Sequence, residues 1–427
     1  MGCSAELPSS QSPNLCLQQP TEKECAQIWA NTAASWKDSL SISLYVTEAE
    51  YLTRVPLAEN GGMSTWVLVD RNATPDERQI FCSCETFRKR CLVSDEKGQV
   101  QTGIMHSVAS VFCPFELRGR GYGTRHMQEL AGVLNGWQSE YGRSIGSILY
   151  SDIGKTYYAK MGWIANPTNG HYVLPAIDSV KEDLSLYRPA HADGDVRLRL
   201  VPEAELEALC LRDEKMIYAA MATPSAARKR VVVLPDLEHM LWHIRKEDFA
   251  TQHIFGRTPP VKGAIAGNPG KQVWAIWTHR YYRHPDDDPE EEEEEEKNNL
   301  DEQPAEDDGG NPLYILRLVV EGDDTANKPH EGQPPPVTEC YVEQAVALKA
   351  VLQAAQAEAA RWRLDHVALW EPSPLVHSLI RQGGFQAVWV ERQESAIAST
   401  LWFGEDGDGD AVGEAPVLVN NEHYAWC

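Results

Sequence analysis

The stretch VFCPFELRGRGYGTRHM at residues 111–127 threads Arg118 and Arg120 between Gly119, Gly121 and Gly123, directly ahead of a pattern with helical spacing. A helix begins with backbone N–H groups that lack partners and with the positive end of its dipole, and glycine lets the chain approach an anion closely. Two readings fit these residues: an anion cradle running to Thr124, or a helix-entry turn whose arginines are solvated. Nucleoside sites do not fit, because a Walker loop ends in Gly-Lys-Ser/Thr and the dinucleotide fingerprint requires its third glycine and an early βαβ unit.

Composition narrows the partners. At 427 residues the chain is too long for one ordinary core, so two or three domains are expected. No run approaches the roughly 20 apolar residues of a membrane helix, and the first twenty residues lack a secretory pattern. A cytoplasmic, membrane-free protein is therefore expected. The start MGCS offers Gly2 and Cys3 for acylation, but Glu6 stands where that pattern has Ser or Thr. The ten cysteines are scattered, with Cys82 and Cys84 nearest to a pair, so they read as buried thiols and no metal is expected.

The net charge of −24 is concentrated: residues 286–308 carry fifteen acids and one lysine, which is −14 and leaves −10 elsewhere. Such a block has too little apolar surface to order itself, so 286–310 is expected to be a disordered insertion. Nucleic acid is disfavoured, because neutralising phosphates requires a positive surface.

The elements that must position the loop follow from periodicity. Residues 1–20, rich in Ser, Gln and Pro, read as a disordered tail. Thr21 and Glu24 have capping-box spacing ahead of a helical face (Cys25, Ile28, Trp29, Thr32, Trp36), and Thr47 with Glu50 repeats the signal. Strand formers at 66–70, 80–93 and 104–112 come next, with SDEKG as a hairpin turn. After the loop come a helix through Met127, Leu130, Leu134 and Trp137, a strand at 144–150, and a helix at 155–161 stopped by Gly162.

The second half holds KRVVVL, QVWAIWTH, LYILRLVVEG, a long helix from about Cys340 to Arg363 with Val342, Val346, Leu352, Ala355, Ala359 and Trp362 inward, DHVALWE, a helix ending at Gly384-Phe385, and two closing strands. This order echoes the first half, where Gly162-Trp163 stands in place of Gly384-Phe385, but it lacks a glycine-rich basic loop. The fold class is α+β, a mixed sheet flanked by helices, with domains at 21–190 and 195–427.

VFCPFELRGRGYG followed by an amphipathic helix resembles motif A of the GNAT acetyltransferases, and YYAKMGW at 157–163 resembles that superfamily's aromatic-Tyr-x-x-x-Gly-aromatic helix. More narrowly, ECAQIW, WVLVD, SCETFRKR and LYSDIGKTYYAKMGW look like the fungal L-lysine N6-acetyltransferases. The resemblance implies a GNAT fold for residues 21–190, a degenerate copy in the second half, and acetyl-CoA as cosubstrate without a metal. The amides of Arg118, Gly119, Arg120, Gly121, Tyr122, Gly123 and Thr124 would hold its diphosphate, and the main chain of Val111, Phe112 and Cys113 its pantetheine arm. Tyr158 is implied as the general acid.

For the base there are two candidates, Glu85, which alternatively pairs with Arg88 or Lys89, and His106, which alternatively is a core residue. The ending NNEHYAWC places Tyr424 and the Cys427 carboxylate as a further possibility, since some multidomain relatives insert their terminus into the site; the alternative is a tail packed on its own domain. Arg88 or Arg90 would hold a substrate carboxylate. The implied reaction is acetylation of free L-lysine in lysine catabolism, with a histone or protein acetyltransferase and a non-catalytic CoA-binding regulator as the competing readings.

Overall fold

The computed structural model describes residues 7–177, 197–226, 229–287, 310–325, 339–404 and 416–426. The expectations for the acidic stretch 288–309, for Gly2, Cys3 and Glu6, and for Cys427 lie outside the described residues.

The first helix, α1 (Glu22–Trp36), starts as its sequence dictates: Thr21 accepts from the Glu24 amide and Glu24 returns a bond to the Thr21 amide. Glu24 also forms a buried ion pair with Arg78 at 2.8 Å, which lowers its carboxyl pKa to about 2 and ties α1 to the sheet. The second helix, α2 (Ile42–Leu52), is capped by Ser41 instead of Thr47. Thr47 lies inside it, donating to the Ser43 carbonyl four residues back, so the second capping-box expectation fails.

The strands β1 (Leu15–Gln18), β2 (Met63–Asp70), β3 (Cys82–Asp95), β4 (Val100–Phe112), β5 (Ser144–Ser151) and β6 (Ile164–Ala165) belong to a first mixed sheet. The tail expected to be disordered is structured from residue 7: β1 pairs antiparallel with β2, and Leu15 is fully buried. Between β4 and β5 lies α3 (Tyr122–Leu134), a crossover that makes these two strands parallel.

The next strand, β7 (Gly170–Pro175), leaves for a second sheet made of β8 (Arg199–Val201), β10 (Gly263–Ala266), β11 (Val273–His279), β12 (Pro312–Val320), β13 (His366–Trp370) and β14 (Val388–Glu391). In exchange, β15 (Ile397–Trp402) enters the first sheet between β5 and β6. β9 (Lys229–Val233) also joins the first sheet, beside β3, with β16 (Val417–Leu418) on its outer edge. A cut at 190–195 therefore does not separate the sheets, because each holds strands from both halves of the chain.

Helices α4 (Leu206–Met221), α5 (Leu237–Phe255), α6 (Val342–Arg361) and α7 (Pro374–Gln382) complete the layers. On α6 the inward face is Ala347, Leu348, Val351, Ala355 and Ala359, while Val342 is 56% exposed, so the expected stripe is out of phase at its start. The two sheets run the same course: antiparallel β3–β4 then parallel β4–β5, and antiparallel β11–β12 then parallel β12–β13.

Candidate active site

β4 and β5 pair from Ile104 and Ser144 up to Val108 and Leu149, and there the ladder stops. The cause lies in β4: its register against β3 shifts between Ser83 and Glu85, and Ser110 takes a positive φ of 53°. A bulge of this kind bends its strand and re-aims side chains. Val111 and Phe112 lie beyond the last β4–β5 pair, which leaves a gap in the ladder at the centre of the sheet.

Directly beyond it, a short 3-10 turn (Phe115–Leu117) leads into the glycine loop. Gly119 and Gly121 have φ of 73° and 85°, a region that is costly for a residue with a Cβ. Gly121 is the N-cap of α3 and no side chain caps the helix, so its first amides face outward. Arg120 is exposed, and Arg118 lies over the Phe115 ring at 3.8 Å while its Nε donates to the Cys113 carbonyl. The Tyr122 side chain is buried against Phe81, leaving only its backbone for a ligand. Tyr122 also donates to the Pro8 carbonyl, and Arg125 to that of Ser10, so the N-terminal segment walls the loop; its polar composition had hidden that role.

Alternation along β3 sorts the other candidates. Glu85, Phe87, Lys89 and Cys91 share one face, with Phe87 packed on Leu52 and Trp242. Arg88 and its register partner His106 lie on the other. His106 is fully buried, 3.3 Å from Gln138 Oε1, with its pKa lowered by burial to about 4, and Arg88 sits 3.6 Å over the Tyr141 ring. Arg90 is committed to Glu214 at 2.6 Å. The structure thus brings neither Arg88 nor His106 to Glu85.

Glu85 is held from two sides: Trp29 Nε1 donates to it at 3.2 Å and Ser110, the bulge residue, at 2.9 Å. Burial nevertheless raises its carboxyl pKa, against these bonds and the nearby Lys246 charge. Tyr158 comes from the opposite face, on a 3-10 turn (Tyr158–Met161) ended by Gly162 at φ 100°. It packs with Cys84, Val108 and Leu149, edge-on to Tyr157, and burial raises its pKa. Glu85, opposite Ala109, and Tyr158, packed with Val108 and Leu149, thus lie on opposite faces of the sheet beside the end of the β4–β5 ladder.

The C-terminal segment lies between the sheets. Lys89, fully buried, donates to the Ala425 carbonyl, and His243 Nε2 is 3.4 Å from that of Tyr424. Tyr424 itself is sealed in the core with its hydroxyl on the Val233 carbonyl, so it presents nothing to a substrate. His423 stacks on Tyr314 at 3.8 Å, and Trp426 on His423. His423 and Trp426 border a cavity with Asp38, Glu48, Lys246 and Arg280, residues the sequence offered no local signal to find.

Several known proteins are similar to this chain. A lysine acetyltransferase of Yarrowia lipolytica is 23% identical over 276 residues, which is 58% of this chain and 67% of that protein. A GCN5-related N-acetyltransferase from Anabaena variabilis aligns over 90% of this chain and 72% of its own at 13% identity and TM-score 0.46. One from Kribbella flavida aligns over 91% and 71% at 14% identity and TM-score 0.45. A family model described as the LYC1 GNAT-like C-terminal domain matches residues 186–427, more than half of the chain and the half without the glycine loop, so the chain belongs to the LYC1-like GNAT family.

Proposed function

We propose that this protein moves the acetyl group of acetyl-CoA to an amine, and that the acceptor is the N6 amine of free L-lysine, in cytoplasmic lysine breakdown. The observation that carries the reading is the parting of parallel β4 and β5 directly before a glycine-rich, uncapped helix entry. In this reading the amides of residues 118–124 hold the diphosphate, the main chain of Val111, Phe112 and Cys113 holds the pantetheine arm, and the thioester lies in the opening.

An alkylammonium has a reference pKa near 10.4 and must lose a proton before it attacks. Glu85 takes that proton; its burial, by raising the carboxyl pKa, makes it a better base than a solvated glutamate. The free amine attacks the thioester carbon, a C–N bond forms, the C–S bond breaks, and the thiolate receives a proton from the Tyr158 hydroxyl. The second proton lost by the acylated nitrogen restores that hydroxyl. The domain assignment within this proposal is functional: residues 21–190 bind the cosubstrate and 195–427 complete the acceptor side.

The choice of L-lysine is supported by the relative named as a lysine acetyltransferase. The test is thiol release from acetyl-CoA with free amino acids and lysine-containing peptides. Release with L-lysine is expected; release with peptides alone would overturn the acceptor, and none with any amine would overturn catalysis. Removing Trp426 and Cys427 is expected to cut turnover at least about tenfold, and a fully active truncation would exclude the tail from the site.

A further inference from the structure

The cavity on the Glu85 side of the first sheet is walled by the α1–α2 connection, α5, and the chain just after β11. The cavity opens to solvent and is bordered by Tyr282, His423 and Trp426 as well. Its closed interior is only about 20 Å³, room for about one water. Charged side chains close it by pairing across it. Arg280 lies 2.9 Å from Asp38, and Lys246 lies 2.5 Å from Glu48 and 3.9 Å from Asp38.

These two cations and two anions are each at most 16% exposed and come from segments about 200 residues apart in sequence. A purely structural ion network would be expected to satisfy its members, because buried donors left over are costly. Here Arg280 Nε and Ser39 Oγ are buried without a partner. The cavity also adjoins both ends of the proposed chemistry: the Lys246 charge is felt at Glu85, and Trp36, closing α1 beside Asp38, packs edge-on against Phe112 at 6.1 Å.

We infer that this cavity is the acceptor site and that it selects a zwitterionic diamino acid: the Arg280 fork, with Lys246 beside it, takes the α-carboxylate, and Asp38 with Glu48 takes the α-ammonium. The inference rests on the amine-acetylation reading. Binding exchanges each internal ion pair for one with the ligand, so charges that are already desolvated change partners and the cavity widens as they part. The apolar stem of the ligand runs past Trp426, and its second amine points toward Glu85. An amine without a carboxylate leaves Arg280 uncompensated and is a poor ligand.

The test titrates L-lysine calorimetrically into the CoA-loaded full-length protein, with 1,5-diaminopentane as the probe that lacks the carboxylate. Arg280→Met is expected to weaken L-lysine about 50-fold and diaminopentane less than about threefold, since the bidentate contact is lost only for the former. Glu48→Gln is expected to weaken L-lysine about tenfold and decides the matter alone if the arginine variant does not fold, as judged by its CoA affinity. Absence of L-lysine binding to the native protein, unchanged binding in the variants, or equal weakening of both probes overturns the inference. If binding behaves as expected but no thiol is released from acetyl-CoA, the pocket stands and the acetylation reading falls; if thiol release with L-lysine is insensitive to both substitutions, the acetylation reading stands and the pocket falls.

Discussion

From β4 to α3 the chain passes through residues 113–121, whereas from β12 to α6 it passes through residues 321–341. The short connection holds two glycines at positive φ and delivers an uncapped helix start. The long one begins with Gly322 at φ 77° and then Asp323, which accepts from Ser373 and from Thr325, while Asp324 accepts from Tyr341. Where the first half offers amides and arginines, the described start of the second connection presents the carboxylates of Asp323 and Asp324.

The openings differ as well. The β12–β13 ladder stops at Ile315 and Leu369, much as β4–β5 stops at Val108 and Leu149. In the second sheet the C-terminal segment fills the gap: Glu422 accepts from the Leu318 amide and pairs with Arg317, which also holds Asp213 at 2.7 Å. A duplicated frame thus carries two potential clefts. The tail that plugs one of them continues to Trp426 at the cavity beside the other.

The contrast between the two halves is most exposed at Glu85. Glu85→Gln keeps the shape and the Trp29 contact but cannot take a proton, so kcat is expected to fall about 10²–10⁴-fold with acetyl-CoA affinity unchanged. A single-turnover measurement showing native rates would mean that another group is the base. The native pH profile should bear the same mark: kcat/KM rises with pH through a carboxyl pKa lying above the ordinary glutamate value, because only the deprotonated form acts.

Tyr158→Phe is expected to cost about 10²-fold in kcat and to leave cosubstrate affinity alone, which a KM-against-kcat comparison resolves. Next comes one glycine from each connection. Gly121→Ala, at φ 85° with its Cβ directed at Ser10, should weaken CoA about tenfold, or ~1.4 kcal/mol. Gly322→Ala should cost about 1 kcal/mol of stability and leave CoA binding within about twofold. Equal effects on CoA would erase the distinction between the loops.

The last effect is on stability alone. Glu371, at the end of β13, accepts from the Gly170 amide and from Thr168, holding the exchanged strand β7, and burial raises its pKa to about 7. A raised folded-state pKa means that folding favours the protonated form. Its contribution is therefore present below the ordinary glutamate value near 4.5 and is lost as pH rises through about 7. Glu371→Gln should flatten the dependence of unfolding free energy on pH between pH 5 and 8 by about 1–3 kcal/mol, given ~1.4 kcal/mol per pKa unit.

Local signals carried much of the first sheet. The Thr21–Glu24 box, the alternation through β3 and β4, and Gly162 after Tyr158 each depend on neighbours within a few residues, and each is seen in the fold. Capping-box spacing and composition misled where a competing local bond or a longer-range contact decided the outcome: Thr47 bonds back into its own helix, and β1 gains its order by pairing with β2.

The glycine loop and its helix were legible from the chain alone, because φ preferences and unpaired helix-start amides are properties of a few consecutive residues. Three other features required the folded molecule: the exchange of β7 for β15, the placing of Arg88 and His106 on the face away from Glu85, and the meeting of Asp38, Glu48, Lys246 and Arg280 around one cavity. Each depends on which distant segments share a sheet or a cleft, and the free energy of burying those segments together is not written in any one of them.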